Sequence, residues 1–166
     1  MIAIVAAAIL ALCSHVESDR ADAIAADIVA VSEREAFFEG DAGPLATALL
    51  LVALGRVESD FHERIERCEC RRGECDNGRS LGIWQIMRGD PAMCGDRQAQ
   101  ALAALSVLQE ARRMCKDVPR TLGAYNSGRC RKTKASRYVY ATWQRLLRES
   151  GIVMRGERAV WIRGET

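Results

Sequence analysis

The stretch Pro44-Leu-Ala-Thr-Ala-Leu-Leu-Leu-Val-Ala-Leu-Gly-Arg-Val-Glu58 decides the fold. Its residues favour helix, and Pro44 suits the first helical turn. Such a helix would be apolar on nearly every face, so the pattern predicts that it is buried at the centre of the domain. The run ends on a carboxylate, Glu58, and Ser59-Asp60-Phe61 follow.

Glu58 is a candidate general acid. Burial disfavours the charged form of a carboxyl group, so its pKa rises toward the range in which it donates a proton near neutrality. The helix dipole also disfavours an acid at a helix C-terminus, so an acid retained there suggests a function. The alternative is an exposed glutamate that merely ends the helix.

The composition predicts a mainly α protein with one domain. The chain has 166 residues, 49% of them apolar and only three prolines, which is enough for a hydrophobic core and argues against disorder. The charge is uneven: residues 17–41 are acidic, whereas residues 111–150 hold eleven bases against two acids. The basic half either attracts an anionic polymer or is simply a solvated face.

Three segments follow from the pattern. Residues 1–18 form an apolar N-terminal segment, too short to span a bilayer, which is either a signal peptide or the first core helix. Residues 19–150 form the main domain, and residues 151–166 a tail with an extended piece at 159–162. Within the domain, periodicity and breaks predict a cysteine-rich loop insert at 62–96 and, besides the central helix, helices at 19–38, 97–114, 121–126 and 136–149.

Six of the seven cysteines lie within residues 68–130. An even cluster of this kind predicts disulfides and an oxidising compartment, although spacing does not give the connectivity. Our best single pairing is Cys115 with Cys130, which would staple the loop that carries Tyr125 and Asn126. The competing interpretation is a zinc site of four thiolates, from Cys68, Cys70, Cys75 and Cys94, although the spacing departs from the usual paired knuckles.

Two later motifs carry polar groups suited to a ligand. Gly78-Arg-Ser-Leu-Gly-Ile-Trp-Gln-Ile86 places the Gln85 amide among apolar neighbours, where it can recognise sugar hydroxyls and acetamido groups. Gly123-Ala-Tyr-Asn-Ser-Gly128 sets a phenol and an amide at a helix end. Taken singly, the first equally fits a plain turn with a core Trp84, and the second an ordinary helix cap.

Taken in order, the three motifs resemble the soluble lytic transglycosylase family, a lysozyme-like branch related to goose-type lysozymes. Its pattern is Glu-Ser-x-Phe, Gly-Leu-Met-Gln-Ile and Ala-Tyr-Asn-Ala-Gly, and the resemblance spans residues 44–150. It implies a lysozyme-like α-helical fold with Glu58 as catalytic acid and base. Ser80 and Gln85 would line the sugar cleft, with Tyr125 and Asn126 supporting the acid and the acetamido group. Trp84 and Ser127 depart from the pattern, where the family has Met and Ala.

The resemblance further implies an extracytoplasmic enzyme that acts on peptidoglycan glycan strands without a metal or cofactor, as a monomer that binds no nucleic acid. The N-terminal segment suggests membrane or envelope association. Three alternatives stay open: a muramidase that hydrolyses the same bond, a non-catalytic wall-binding or cysteine-stapled structural module, and the zinc module. A second carboxylate, which hydrolysis would need, is available in Asp60, Asp76, Asp90 or Asp96.

Overall fold

The computed structural model describes residues 1–71 and 73–162, and it is mainly helical. The helices are α1 (Ile2–Leu12), α2 (Ser18–Arg34), α3 (Gly43–Glu58), α4 (Glu63–Glu66), α5 (Cys75–Gly78), α6 (Arg97–Met114), α7 (Val118–Ser127) and α8 (Lys134–Glu149). Pro91–Met93 form a 3-10 turn. Two antiparallel hairpins complete the structure, β1 (Ser80–Leu81) with β2 (Ile86–Met87) and β3 (Ile152–Arg155) with β4 (Arg158–Trp161).

Helix α3 is the centre of the molecule, as its sequence predicts. Every residue from Leu45 to Gly55 is buried, and α1, α2 and α8 pack around it. Two buried tryptophans are bonded to its backbone: the indole of Trp143 donates to Ala46 O at 2.9 Å, and that of Trp84 to Leu51 O at 2.9 Å. The α8 helix and the loop that carries Trp84 are therefore fixed to the same rigid core element.

Helix α2 ends four residues before the predicted boundary at residue 38. The amides of Phe37 and Phe38 both donate to Thr47 Oγ1 of α3, at 2.9 and 3.3 Å. The Phe38 ring then stacks on Trp143 with ring centroids 4.8 Å apart. These contacts with α3 and α8 turn the chain away from the helix axis, so tertiary packing overrides the local helical pattern.

Helix α7 is longer than the predicted residues 121–126. Pro119 lies in its first turn, where the missing N–H costs nothing, and the Asp117 side chain accepts from the Arg120 amide at 2.8 Å to cap it. Pro119 therefore lies at the start of α7, in addition to following the end of the preceding helix. The boundaries of α6 agree with the prediction, and α8 begins two residues early on a Thr133 capping box.

The cysteine-rich segment is held by disulfides. Cys68 bonds to Cys94 and Cys70 to Cys75, so the four sulfurs proposed as zinc ligands are paired with one another, and the zinc interpretation is wrong. The predicted bond between Cys115 and Cys130 is confirmed. Cys13 remains a free, buried thiol.

Both ends of the described chain pack on the core. Val5 and Ile9 of α1 are fully buried, and α1 contacts α2 and α3. The predicted extended piece at 159–162 forms most of β4, and Ile152 and Ala159 bury the hairpin against α8 and α3; residues 163–166 of the predicted tail lie outside the described residues. Across residues 1–71 and 73–162, none of the helices has the length and apolar character that crossing a membrane requires.

Candidate active site

A cleft of about 480 Å³ opens at the C-terminal end of α3. All five residues predicted for the site line it, although they come from three separate parts of the chain. The lining is Glu58, Gly73, Cys75, Asp76, Ser80, Gln85, Ile86, Met87, Val107, Tyr125 and Asn126. The cleft therefore lies between the end of the central helix, the cysteine-rich segment and α7.

Glu58 is a half-buried carboxyl group with an unusual protonation equilibrium. Burial, assisted by the negative charge of Asp76, raises its pKa from 4.5 to about 7. Among the described residues, no hydrogen bond to the carboxylate contributes to lowering this pKa. The group is consequently part protonated near neutrality and able both to give and to take a proton.

Asp76 is the second carboxylate of the cleft. Ser80, one of the residues predicted for the cleft, donates a hydrogen bond from its Oγ to Asp76 Oδ2 at 2.7 Å. Asp76 and Asn77 have positive φ values of 50° and 58°, a conformation that the neighbouring Cys70–Cys75 bond helps to hold. Asp76 lies close enough to Glu58 for its negative charge to raise the pKa of that group.

The other three candidate second acids lie elsewhere. Asp60 pairs with Arg56 across 2.7 Å, Asp90 accepts from the Ala92 amide to cap the 3-10 turn, and Asp96 accepts from the Ala99 amide to cap α6. The sequence named four aspartates without distinguishing them, and the structure brings only Asp76 of these into the cleft. Its spacing of four residues before Ser80 was the available signal.

A chain of hydrogen bonds fixes the back of the cleft. The Tyr125 phenol donates to Trp84 O at 2.6 Å, and Trp84 is itself bonded to α3. Burial, with a smaller contribution from the charge of Glu58, raises the pKa of Tyr125 well above its usual value, so the phenol stays protonated and near the acid. Gln85 donates from its amide to Gly82 O at 3.0 Å, which orients the side chain at the cleft wall.

Gln100 of α6 supports this wall and was missed in the sequence. Fully buried, it accepts from the Ile83 amide at 2.8 Å and donates to the carbonyls of Glu66 and Met93. Gly82 makes room for it, because a Cβ there would lie 2.5 Å from the Gln100 side chain. A glutamine on the otherwise apolar inward face of α6 was the signal.

Helix α7 is positioned by close backbone packing. A Cβ at Gly123 would lie 1.7 Å from Arg131 O, so the loop after α7 lies directly on the helix. The Cys115–Cys130 bond closes the same unit. Tyr125 and Asn126 are therefore presented to the cleft from a helix that is held on both sides.

Comparison with protein-family models, with curated proteins and with solved structures gives no match to this chain. What the cleft can do chemically follows from its own residues. It combines a carboxyl group that titrates near neutrality, a carboxylate beside it, and amide and phenol groups around both.

Proposed function

We propose that the protein is a peptidoglycan lytic transglycosylase with a lysozyme-like fold, and that Glu58 is its catalytic acid and base. The observation that carries the proposal is geometric. Glu58, Ser80, Gln85, Tyr125 and Asn126, the residues that the family resemblance singles out, line one open cleft. The raised pKa of Glu58 supports it, because an acid catalyst must be protonated at the working pH.

In this mechanism Glu58 protonates the glycosidic oxygen between N-acetylmuramic acid and N-acetylglucosamine. The C1–O bond breaks, the glucosamine leaves with a hydroxyl group, and the acetamido group helps to stabilise the oxocarbenium-like carbon. Glu58, now a carboxylate, takes the proton of the muramyl C6 hydroxyl as that oxygen bonds to C1. The products are a 1,6-anhydromuramyl end and a regenerated acid, and no water is consumed.

The surrounding groups suit this substrate. The amides of Gln85 and Asn126 offer donors and acceptors that match sugar hydroxyls and acetamido groups. Tyr125 lines the same cleft, with its phenol already bonded to Trp84 O. The open, polar form of the cleft accommodates a glycan strand better than an apolar ligand.

The test is a digest of purified sacculi by the wild type and by Glu58→Gln, with mass spectra of the products. The amide keeps the shape of the side chain but has no carboxyl proton to donate, so we expect a rate loss of at least about 10²–10⁴-fold. Glu110→Gln, on the exposed face of α6, is the matched control and should digest as the wild type does. Equal digestion by Glu58→Gln would rule out the assignment.

A muramidase that hydrolyses the same bond is the second candidate, and Asp76 favours it. An inverting hydrolase needs a second carboxylate to activate water, and Asp76 lies in the cleft close enough to raise the pKa of Glu58. The digest separates the two, since hydrolysis gives reducing ends and transglycosylation gives anhydromuramyl ends. A non-catalytic wall-binding module would retain sacculus binding but release neither product.

The proposed compartment is extracytoplasmic. Three disulfides would not persist in a reducing cytosol, and peptidoglycan lies outside it. We expect the partner to be the glycan strand alone, bound by a monomer without metal or cofactor in catalysis.

A further inference from the structure

The only two histidines of the chain meet at the protein surface. His15 lies between α1 and α2 and His62 precedes α4, yet their ring centroids are 4.7 Å apart. Asp60 lies between them, with Oδ2 3.9 Å from His15 Nδ1. One imidazole nitrogen from each histidine and one carboxylate oxygen all lie within 4.8 Å of one another.

We propose that His15, Asp60 and His62 bind a divalent transition-metal ion, with zinc as the type case. Two imidazoles and a carboxylate suit zinc, whose bonds to nitrogen and oxygen are about 2.0–2.2 Å long. Ligand atoms on one such ion lie about 3.3 Å apart, so the 3.9 Å between His15 and Asp60, and separations of up to 4.8 Å within the cluster, would close by side-chain movements of up to about 1.5 Å. The two exposed histidines leave a fourth position open to water.

The backbone on both sides of this site is anchored, so only the side chains of the ligands need to move when an ion binds. His15 is flanked by the buried Cys13 and Val16. Between Asp60 and His62, Phe61 is fully buried, its amide donates to Ser59 Oγ at 3.1 Å, and its carbonyl accepts from Arg20 at 2.7 Å. Each ligand is therefore directly adjacent to a buried residue, His15 to Val16, and Asp60 and His62 to Phe61.

Asp60 and Phe61 have positive φ values of 53° and 54°, which cost energy in non-glycine residues. This turn aims the Asp60 carboxylate back at His15 instead of continuing α3. Arg56 engages Oδ1 across 2.7 Å and leaves Oδ2 facing the histidine. Because Arg56 also offsets the charge of Asp60, we infer a preference for imidazole-binding metals over Ca²⁺ or Mg²⁺.

The test is calorimetric titration of Zn²⁺ into the untagged, chelator-stripped full chain, with thermal unfolding in parallel. We expect one equivalent to bind, and the Tm to rise by roughly 5–10 °C at zinc 100-fold above Kd. His15→Ala and His62→Ala should each weaken binding at least about tenfold. Both residues are exposed, so these variants should fold, as circular dichroism would confirm.

Two further variants sharpen the assignment. Glu63→Gln should leave zinc binding unchanged and controls for loss of a nearby exposed charge. Arg56→Ala should tighten binding, because it removes a positive charge beside a ligand. Absence of saturable binding, or binding that survives both histidine substitutions, would overturn the proposal. None of these readouts depends on activity in the cleft.

Discussion

At the scale of single residues, the protonation of Glu58 is coupled to the stability of the fold. Its folded pKa of about 7 exceeds 4.5, so the folded chain holds this proton more tightly than the unfolded chain does. Stability contributed by the protonated form is present below pH 4.5 and is lost as the pH rises through 7. A pKa shift of this size corresponds to a loss of at most about 3 kcal/mol in the free energy of unfolding. Because water reaches the half-buried group, we expect a loss of about 1–2 kcal/mol.

Glu58→Gln should therefore be more stable than the wild type at pH 8, by about 1–2 kcal/mol, and no different at pH 4. Urea unfolding at the two pH values measures both. Glu110→Gln is again the control and should show no such pH-dependent gain. A variant that is equally or less stable than the wild type at pH 8 would mean that the carboxyl group is better solvated than its burial indicates.

Asp76 provides the second residue-scale prediction. Because its charge disfavours ionisation of Glu58, Asp76→Asn should lower the Glu58 pKa, while burial keeps it above 4.5. Carbon-13 NMR titration of the glutamate carboxyl groups measures the Glu58 pKa directly in the free protein, for the wild type and for the variant. If the chain is the proposed enzyme, the alkaline limb of its pH–rate profile should move to lower pH as well. An unchanged titration would show that the two carboxylates do not interact.

At the scale of elements, Gly123 controls the position of α7. Alanine in a helix normally stabilises relative to glycine by about 1 kcal/mol, but here the methyl group would meet Arg131 O. We expect Gly123→Ala to lower the free energy of unfolding by about 2–3 kcal/mol and to displace Tyr125. Gly128→Ala, with φ +67° but open space, should cost only about 1 kcal/mol. Thermal unfolding of the two variants compares the cost of a steric clash, at residue 123, with the cost of backbone strain, at residue 128.

Element prediction from the sequence succeeded where local pattern and burial agree. The uniform apolarity of α3 predicts its burial, and the leucine spacing of α6 predicts its bounds. It failed at the end of α2, because the bonds from Phe37 and Phe38 to Thr47 are tertiary contacts without a local signal. The five proposed site residues were all named in advance, whereas the convergence of His15 on Asp60 depends on how α1 and α2 pack and has no trace in spacing.

At the scale of the whole molecule, disulfides hold the part of the cleft that lacks a core of its own. Without reductant, the intact chain should be six hydrogens lighter than its reduced form, two for each bond. Glutamyl-specific cleavage at Glu69 separates Cys68 from Cys70 and allows their partners to be mapped by mass spectrometry. Pairings other than 68–94, 70–75 and 115–130 would contradict the fold of the cysteine-rich segment, and labelling after unfolding should find Cys13 free.

The two tryptophan bonds to α3 have an optical consequence. Trp84 and Trp143 are buried and bonded to different positions of α3, whereas Trp161 is 41% exposed. Replacing Trp161 with Phe would leave two indoles in apolar surroundings, so the native emission should move to the blue. Intrinsic fluorescence would then report, without an added dye, on Trp84 at the cleft wall and on Trp143 where α8 contacts α3.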